Sequence, residues 1–106
     1  MAVVGYLRVS SSKQTLQHQK YELEQFTKRN NITINRWVEE TISSHKPLNK
    51  RRLGQLLDEL QPNDILISTE ISRLGRSMME VMRILETCLN KDCQVWTVKE
   101  NYRLGT

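Results

Sequence analysis

The stretch VVGYLRVSSSKQ (residues 3–14) decides how the rest of the chain reads. Val3, Val4 and the run Tyr6–Val9 make a short, largely apolar and β-branched segment that ends at Ser10. Ser10 is the first of three successive serines. From Gln14 to Asn30 the apolar residues Leu16, Leu23 and Phe26 then recur at helical spacing, and Asn30-Asn31 ends the pattern. A strand that passes through a hydroxyl-rich junction into a helix is the opening of a β-α-β unit.

The same alternation continues outward from there. ITINRWV (residues 32–38) alternates apolar and polar and suits a second strand nearer a sheet edge. Glu39–Asn49 is polar, with no periodicity, and reads as a loop. Leu53, Leu56, Leu57 and Leu60 mark one face of a short helix. Pro62-Asn63-Asp64 is a turn, and ILIS (residues 65–68) a buried strand. Met78, Val81, Met82, Leu85, Cys88 and Leu89 form another helical stripe, whose methionines are assigned to core packing. QVWTV (residues 94–98) is the fourth strand, whereas Glu100–Thr106 carries no element of its own. The order β-α-β-α-β-α-β predicts an α/β fold with a mainly parallel four-stranded sheet flanked by helices.

Composition narrows the function. At 106 residues, 38% of them hydrophobic, the chain has material for one core and therefore one domain, residues 1–106. It ends without a capped final helix and is expected to be part of something longer. No stretch approaches the ~20 apolar residues of a membrane span, and the N-terminus lacks a signal-peptide layout, so a cytoplasmic protein is expected. Sixteen Lys and Arg against twelve Asp and Glu give a net charge of +4, which suits a polyanion without requiring one. Cys88 and Cys93 form no zinc pattern and are expected reduced and in the core. His18 and His45 are expected to be exposed, in no metal or triad motif, so no metal and no cofactor are predicted.

In an open parallel sheet, ligands bind outside the carboxyl ends of the strands, where strand order reverses. Two polar clusters fall at such ends: Arg8 to Gln14 after the first strand, and Ser72-Arg73-Leu74-Gly75-Arg76-Ser77 after the third. If those strands are neighbours, the clusters face one crevice holding hydroxyls, amides and at least three guanidiniums. Guanidinium forks match phosphate oxygens in pairs, and helix N-termini after Ser12 and near Ser77 would add backbone donors. The crevice therefore reads as a phosphate site. Each residue also has an ordinary explanation. Arg73 and Arg76 would be surface charges paired with Glu70 or Glu80, Ser10 a helix cap, and Gln14 and Gln19 solvated helix residues.

The order and spacing of these residues resemble a known family. Gly5 to Gln19 (GYLRVSSSKQTLQHQ) resembles the opening of the resolvase/invertase family of serine recombinases: an aromatic, Arg-Val-Ser, then glutamines four and nine residues after the serine. Ile71 to Ser77 (ISRLGRS) resembles that family's Leu-Asp-Arg-Leu-Gly-Arg segment, and Leu56 to Leu66 the helix-turn-strand before it. The likeness spans essentially the whole chain. It implies the resolvase-like, flavodoxin-like form of the fold and a catalytic domain without its C-terminal dimerisation helix and DNA-binding module. It implies that Ser10 attacks a DNA phosphodiester to form a 5′-phosphoserine intermediate, followed by strand exchange and religation. Arg8, Arg73 and Arg76 would hold the scissile phosphate, with Gln14 and Gln19 as supporting polar residues. The implied partners are DNA and identical subunits, a homodimer that pairs into a tetramer at synapsis.

Two departures from the pattern stand out. The family's Asp before the arginine of the second motif is Ser72 here, which removes a charge able to orient that arginine. The family's arginine before the second helix aligns without gaps on Lys50, and a one-residue slip brings in Arg51. These departures sustain one alternative, a DNA-associated regulator of the same fold that does not cut. A flavodoxin-like domain for a small phosphorylated ligand fits less well, because no glycine follows the first strand.

Overall fold

The computed structural model describes residues 1–9, 13–41, 48 and 51–106, with the backbone alone at Lys13 and Gln14. Five strands form one sheet: β1 (Val3–Val9), β2 (Arg36–Thr41), β3 (Ile65–Ser68), β4 (Gln94–Thr97) and β5 (Tyr102–Leu104). The helices described between them are α1 (Lys13–Arg29), α2 (Arg52–Glu59) and α3 (Met78–Asn90), with a 3-10 turn over Ile71–Arg73. The sheet order is β2-β1-β3-β4-β5. β1 pairs in parallel with both β2 and β3, and β3 with β4. The chain thus runs outward on one side of β1 and then returns past it to β3, which places the switch point at the carboxyl ends of those two strands.

The alternation of side chains along β1 divides the core. Val3 and Leu7 join Leu23, Phe26, Ile65, Ile67 and Trp96 on the α1 face. Val4 and Tyr6 join the leucines of α2 and Leu66, Leu74, Ile84, Cys88 and Val95 on the other. Every residue of β1 is buried, as a strand covered on both faces requires. Arg8 is two residues beyond Tyr6 and shares its face.

Three expectations need correction. The second strand covers Arg36–Thr41 instead of residues 32–38. Asn35 sets this register: its side-chain oxygen accepts from the Val3 N–H at 2.8 Å, and its own N–H donates to the Val3 carbonyl at 2.8 Å. Ile32 and Ile34 pack below the strand against the α1-side core. Glu39, Glu40 and Thr41, read as loop, therefore belong to the sheet.

The last residues do carry an element. β5 runs antiparallel to β4, making the sheet five-stranded. It is held by a cation more than by apolar burial, so hydrophobic periodicity does not reveal it. The Arg103 guanidinium lies 4.4 Å from the Trp96 ring centre and donates to Asn30 Oδ1 at 2.7 Å. Gly105 closes the strand at φ 90°, with the Cys93 carbonyl where a Cβ would stand.

The methionines of α3 are not in the core. Met78, Met79 and Met82 are 79%, 74% and 56% exposed. The buried line of this helix is Ile84 and Cys88, with Leu85 packed beside them, so the helix is rotated away from the stripe counted along the sequence. Cys88 and Cys93 are free and buried as expected, and His18 is exposed. His45 lies outside the described residues. Among the described residues no helix is long and apolar enough to cross a membrane.

Candidate active site

β1 and β3 are neighbours, so the two polar clusters do meet. Arg8, at the carboxyl end of β1, reaches across to the segment after β3. Its Nε donates to the Arg73 carbonyl at 3.0 Å and its Nη2 to the Ser72 carbonyl at 3.0 Å. Arg73 returns the contact, with Nη1 3.4 Å from the Arg8 carbonyl. Gln19 of α1 is buried and donates from Nε2 to that same carbonyl at 3.1 Å. These bonds tie the end of β1, the first helix and the turn after β3 into one corner. Burial is the main cause that pulls the Arg8 guanidinium below its ordinary pKa, and the positive charges of Arg51 and Arg73 add to it.

Arg73 closes the 3-10 turn, and its Nε donates to Glu70 Oε1 at 3.1 Å. Arg76 stands beyond Gly75 on the exposed approach to α3, so the two arginines do not share a helical turn. Ser77 caps α3 by accepting the Glu80 N–H at 3.2 Å. The Glu80 carboxylate in turn accepts the Arg76 N–H at 3.3 Å. Ser72 is exposed and contributes its carbonyl to the corner. Gly75 is needed for packing: a Cβ there would lie 3.1 Å from both Glu80 Oε1 and Val81 Cγ2.

Arg51 is a fully buried structural cation. Its Nη2 donates to the Leu74 carbonyl at 2.9 Å and to the Tyr6 hydroxyl at 3.0 Å, and its Nη1 to Glu80 Oε1 at 3.3 Å. Its Nε lies 3.7 Å from Glu40 Oε1. Glu40 is buried on β2, opposite Arg8 in the register. It accepts hydrogen bonds from the Tyr6 hydroxyl and from the Arg52 N–H. Burial, with the bond to Glu40, raises the Tyr6 pKa well above its usual value, so it donates as a neutral hydroxyl. Arg51 thus holds the loop bearing Arg73 and Arg76 from below.

Among the predicted site residues, Arg8, Arg73, Gln19, Ser72 and Arg51 come together, and Arg76 follows on the same loop. Ser10, Lys50 and the side chain of Gln14 lie outside the described residues. Tyr6 and Glu40 were not singled out by sequence, whereas Glu70 and Glu80 were named there as ordinary partners for Arg73 and Arg76, and Glu70 does pair with Arg73. For Tyr6 a signal existed, because it stands on one strand face with Arg8. Glu40 was hidden in a segment read as loop. Among the described residues no group of three or more His, Cys, Asp or Glu is placed to hold a metal ion. What the corner offers is guanidinium groups gathered at the carboxyl ends of the two central strands.

Comparison with known proteins identifies the family and the fold. The family model described as "Resolvase, N terminal domain" matches residues 3–106. A resolvase of Clostridium perfringens is 32% identical over 101 residues, which is 94% of this chain and 50% of that protein. The Transposon Tn2501 resolvase of Escherichia coli is 34% identical over 94 residues, 88% of this chain and 47% of that protein. The chain therefore spans about half the length of these curated relatives. The fold is that of the N-terminal catalytic domain of TP901-1 integrase, with TM-score 0.84 at 16% identity over 100% of this chain and 83% of that one. A resolvase family site-specific recombinase from Streptococcus pneumoniae shares it at TM-score 0.75 and 18% identity, over 100% of this chain and 78% of that one.

Proposed function

The chain belongs to the resolvase family of serine recombinases, and from that premise we propose that residues 1–106 are the catalytic domain of a site-specific DNA recombinase. The observation that carries this reading is the mutual lock of Arg8 and Arg73 at the carboxyl ends of the two central strands. Position 10 follows directly from the end of β1, two residues after Arg8. Its hydroxyl attacks the phosphorus of a DNA phosphodiester, forming the Oγ–P bond as the bond to the 3′-oxygen breaks. The products are a 5′-phosphoserine and a free 3′-hydroxyl, and reversal by the 3′-hydroxyl of another strand rejoins the DNA.

Charge gathers on the phosphoryl oxygens in the transition state, and preorganised cations are the main aid to such chemistry. Arg8, Arg73 and Arg76 supply them. Gln19 supports the Arg8 carbonyl, Arg51 holds the loop, and Gln14 and Lys50 complete the candidate set. DNA is the partner, which places the protein in the cytoplasm. Identical subunits assemble as a dimer and then a tetramer, and the exposed Met78, Met79 and Met82 of α3 give an apolar surface for that contact. The relatives' further length leaves room for a dimerisation helix and a DNA-binding module, which would supply the specificity that a few phosphate contacts cannot.

Arg73→Ala tests the assignment. An arginine aimed at transferring phosphoryl oxygens is worth roughly 10³–10⁵ in rate, so single-turnover cleavage is expected to collapse while thermal melting stays close to wild type. Cleavage at the wild-type rate would remove Arg73 from the site.

A further inference from the structure

Arg73 stands in a motif where the resemblance implies an Asp at position 72, and this chain has a serine there. Ser72 is exposed, and its part in the corner is its carbonyl, which accepts from Arg8. The carboxylate that does reach Arg73 comes from three residues upstream. We propose that Glu70 is the positioning residue for Arg73, a relocated substitute for the missing acid at position 72. This inference rests on the reading above, in which Arg73 meets the phosphate.

Two contacts link the same pair of residues. The Glu70 carbonyl accepts the Arg73 N–H at 3.1 Å, and the Glu70 carboxylate accepts the Arg73 Nε–H at 3.1 Å. Main chain and side chain of Arg73 are thereby fixed by one partner. Glu70 is itself held, since its carbonyl also accepts from the Ser68 hydroxyl at 3.0 Å. The segment joining β4 to β5 closes over this turn. Glu100 accepts the Ile71 N–H at 3.2 Å, and Lys99 Nζ lies 3.6 Å from Glu70 Oε1.

The other carboxylates nearby are committed elsewhere: Glu40 to Tyr6 and the Arg52 N–H, Glu80 to Arg51 and the Arg76 N–H, Glu100 to Ile71. Among the described residues Glu70 is the only carboxylate paired with Arg73. Without it the guanidinium keeps one side-chain contact among them, the 3.4 Å bond from Nη1 to the Arg8 carbonyl. One such bond leaves rotation about the side-chain torsions open. With Nε and Nη1 both engaged, the plane is set and Nη2 remains to donate.

The test uses the protein as its gene encodes it, on a duplex carrying the sequence that the wild type cuts. Four variants are compared for single-turnover cleavage, DNA affinity and melting: Glu70→Ala, Arg73→Ala, both together, and Glu70→Ala with Ser72→Asp. A catalytic group misplaced by about 1 Å can cost 10²-fold, so Glu70→Ala is expected to slow cleavage by about 10- to 100-fold with DNA affinity unchanged. It should add nothing on the Arg73→Ala background. Ser72→Asp should restore most of the lost rate without raising the melting point, which a merely structural role would not produce. Normal cleavage by Glu70→Ala beside an inert Arg73→Ala would overturn the positioning role and leave the site assignment standing. Equal slowing by Glu70→Ala on both backgrounds would do the same. Normal cleavage by Arg73→Ala would overturn both.

Discussion

Replacing Arg51 with methionine probes the scaffold under the candidate site. Methionine fills much of the same volume but removes every donor. The Leu74 carbonyl, the Tyr6 hydroxyl and the Glu80 carboxylate lose bonds of 2.9, 3.0 and 3.3 Å. Glu40, buried on β2, loses the only cation that the structure pairs with it among the described residues. Removing one partner of a buried pair costs about 3–5 kcal/mol, because the other charge is left uncompensated. That is a large part of the ~5–15 kcal/mol that holds a domain together. At a urea slope of roughly 1–3 kcal/mol per molar, the denaturation midpoint is expected to fall by about 1 M or more.

Glu40→Gln separates the charge from the packing. Tyr6 and the Arg52 N–H bond different oxygens of Glu40. In Gln the amide oxygen can accept from the Arg52 N–H while its NH2 donates to the Tyr6 hydroxyl oxygen, so the double variant Glu40→Gln/Arg51→Met no longer buries a lone carboxylate. It is expected to lose less than the sum of the single variants, with a coupling in the range of about 0.5–3 kcal/mol seen for residues in contact. Equilibrium urea unfolding followed by tryptophan fluorescence gives all four free energies. If Arg51→Met costs under about 1 kcal/mol, or if the two substitutions simply add, the buried network does not hold the loop as argued here.

Other consequences follow from individual contacts. A Cβ added at Gly5 would lie 2.9 Å from two atoms of the Trp37 ring and 3.1 Å from Ile34 Cδ1. Gly5→Ala is therefore expected to lose about 1–3 kcal/mol by overpacking and to shift the tryptophan emission as Trp37 moves. Burial pushes the Cys88 thiol from 9.0 up to about 12 and raises Cys93 as well. The folded state keeps a proton that the unfolded state gives up, so the stabilisation is full below pH 9 and falls as pH rises from about 9 toward 12. Iodoacetamide at pH 8 should label neither cysteine until urea unfolds the chain. Met79→Glu, on the exposed face of α3, should change stability by no more than about 0.5 kcal/mol while weakening subunit association measured by sedimentation. Unchanged association would move the subunit contact to another surface.

How much the sequence disclosed depended on what held each element. β1, β3 and α2 were legible because apolar burial alone specifies them, and Leu53, Leu56, Leu57 and Leu60 are all buried as their spacing predicts. β5 was not, because Arg103 stacked on Trp96 and Phe26 does the work that apolar side chains do elsewhere. β2 slipped by a few residues because Asn35, a polar residue, fixes its start. Helical spacing alone does not decide which of two apolar lines faces inward on α3, and Ile84 lies on neither edge of the stripe that was counted. At the candidate site, the two polar clusters read from the sequence do meet, with Arg8 and Arg73 in contact. Glu70, three residues before Arg73, was legible as its partner, whereas Glu40 of β2 and Glu80 of α3 meet Arg51 only through the fold.

In the proposed reaction Ser10 makes a covalent bond to DNA. The protein encoded by the gene is incubated with the DNA that flanks that gene, quenched with detergent and examined for protein–DNA adducts, wild type beside Ser10→Ala. An adduct is expected with wild type, linked through serine to a 5′-phosphate, and none with Ser10→Ala. An adduct that persists in Ser10→Ala would contradict it, as would specific binding of that DNA by wild type with no adduct, which would point to a regulator that does not cut.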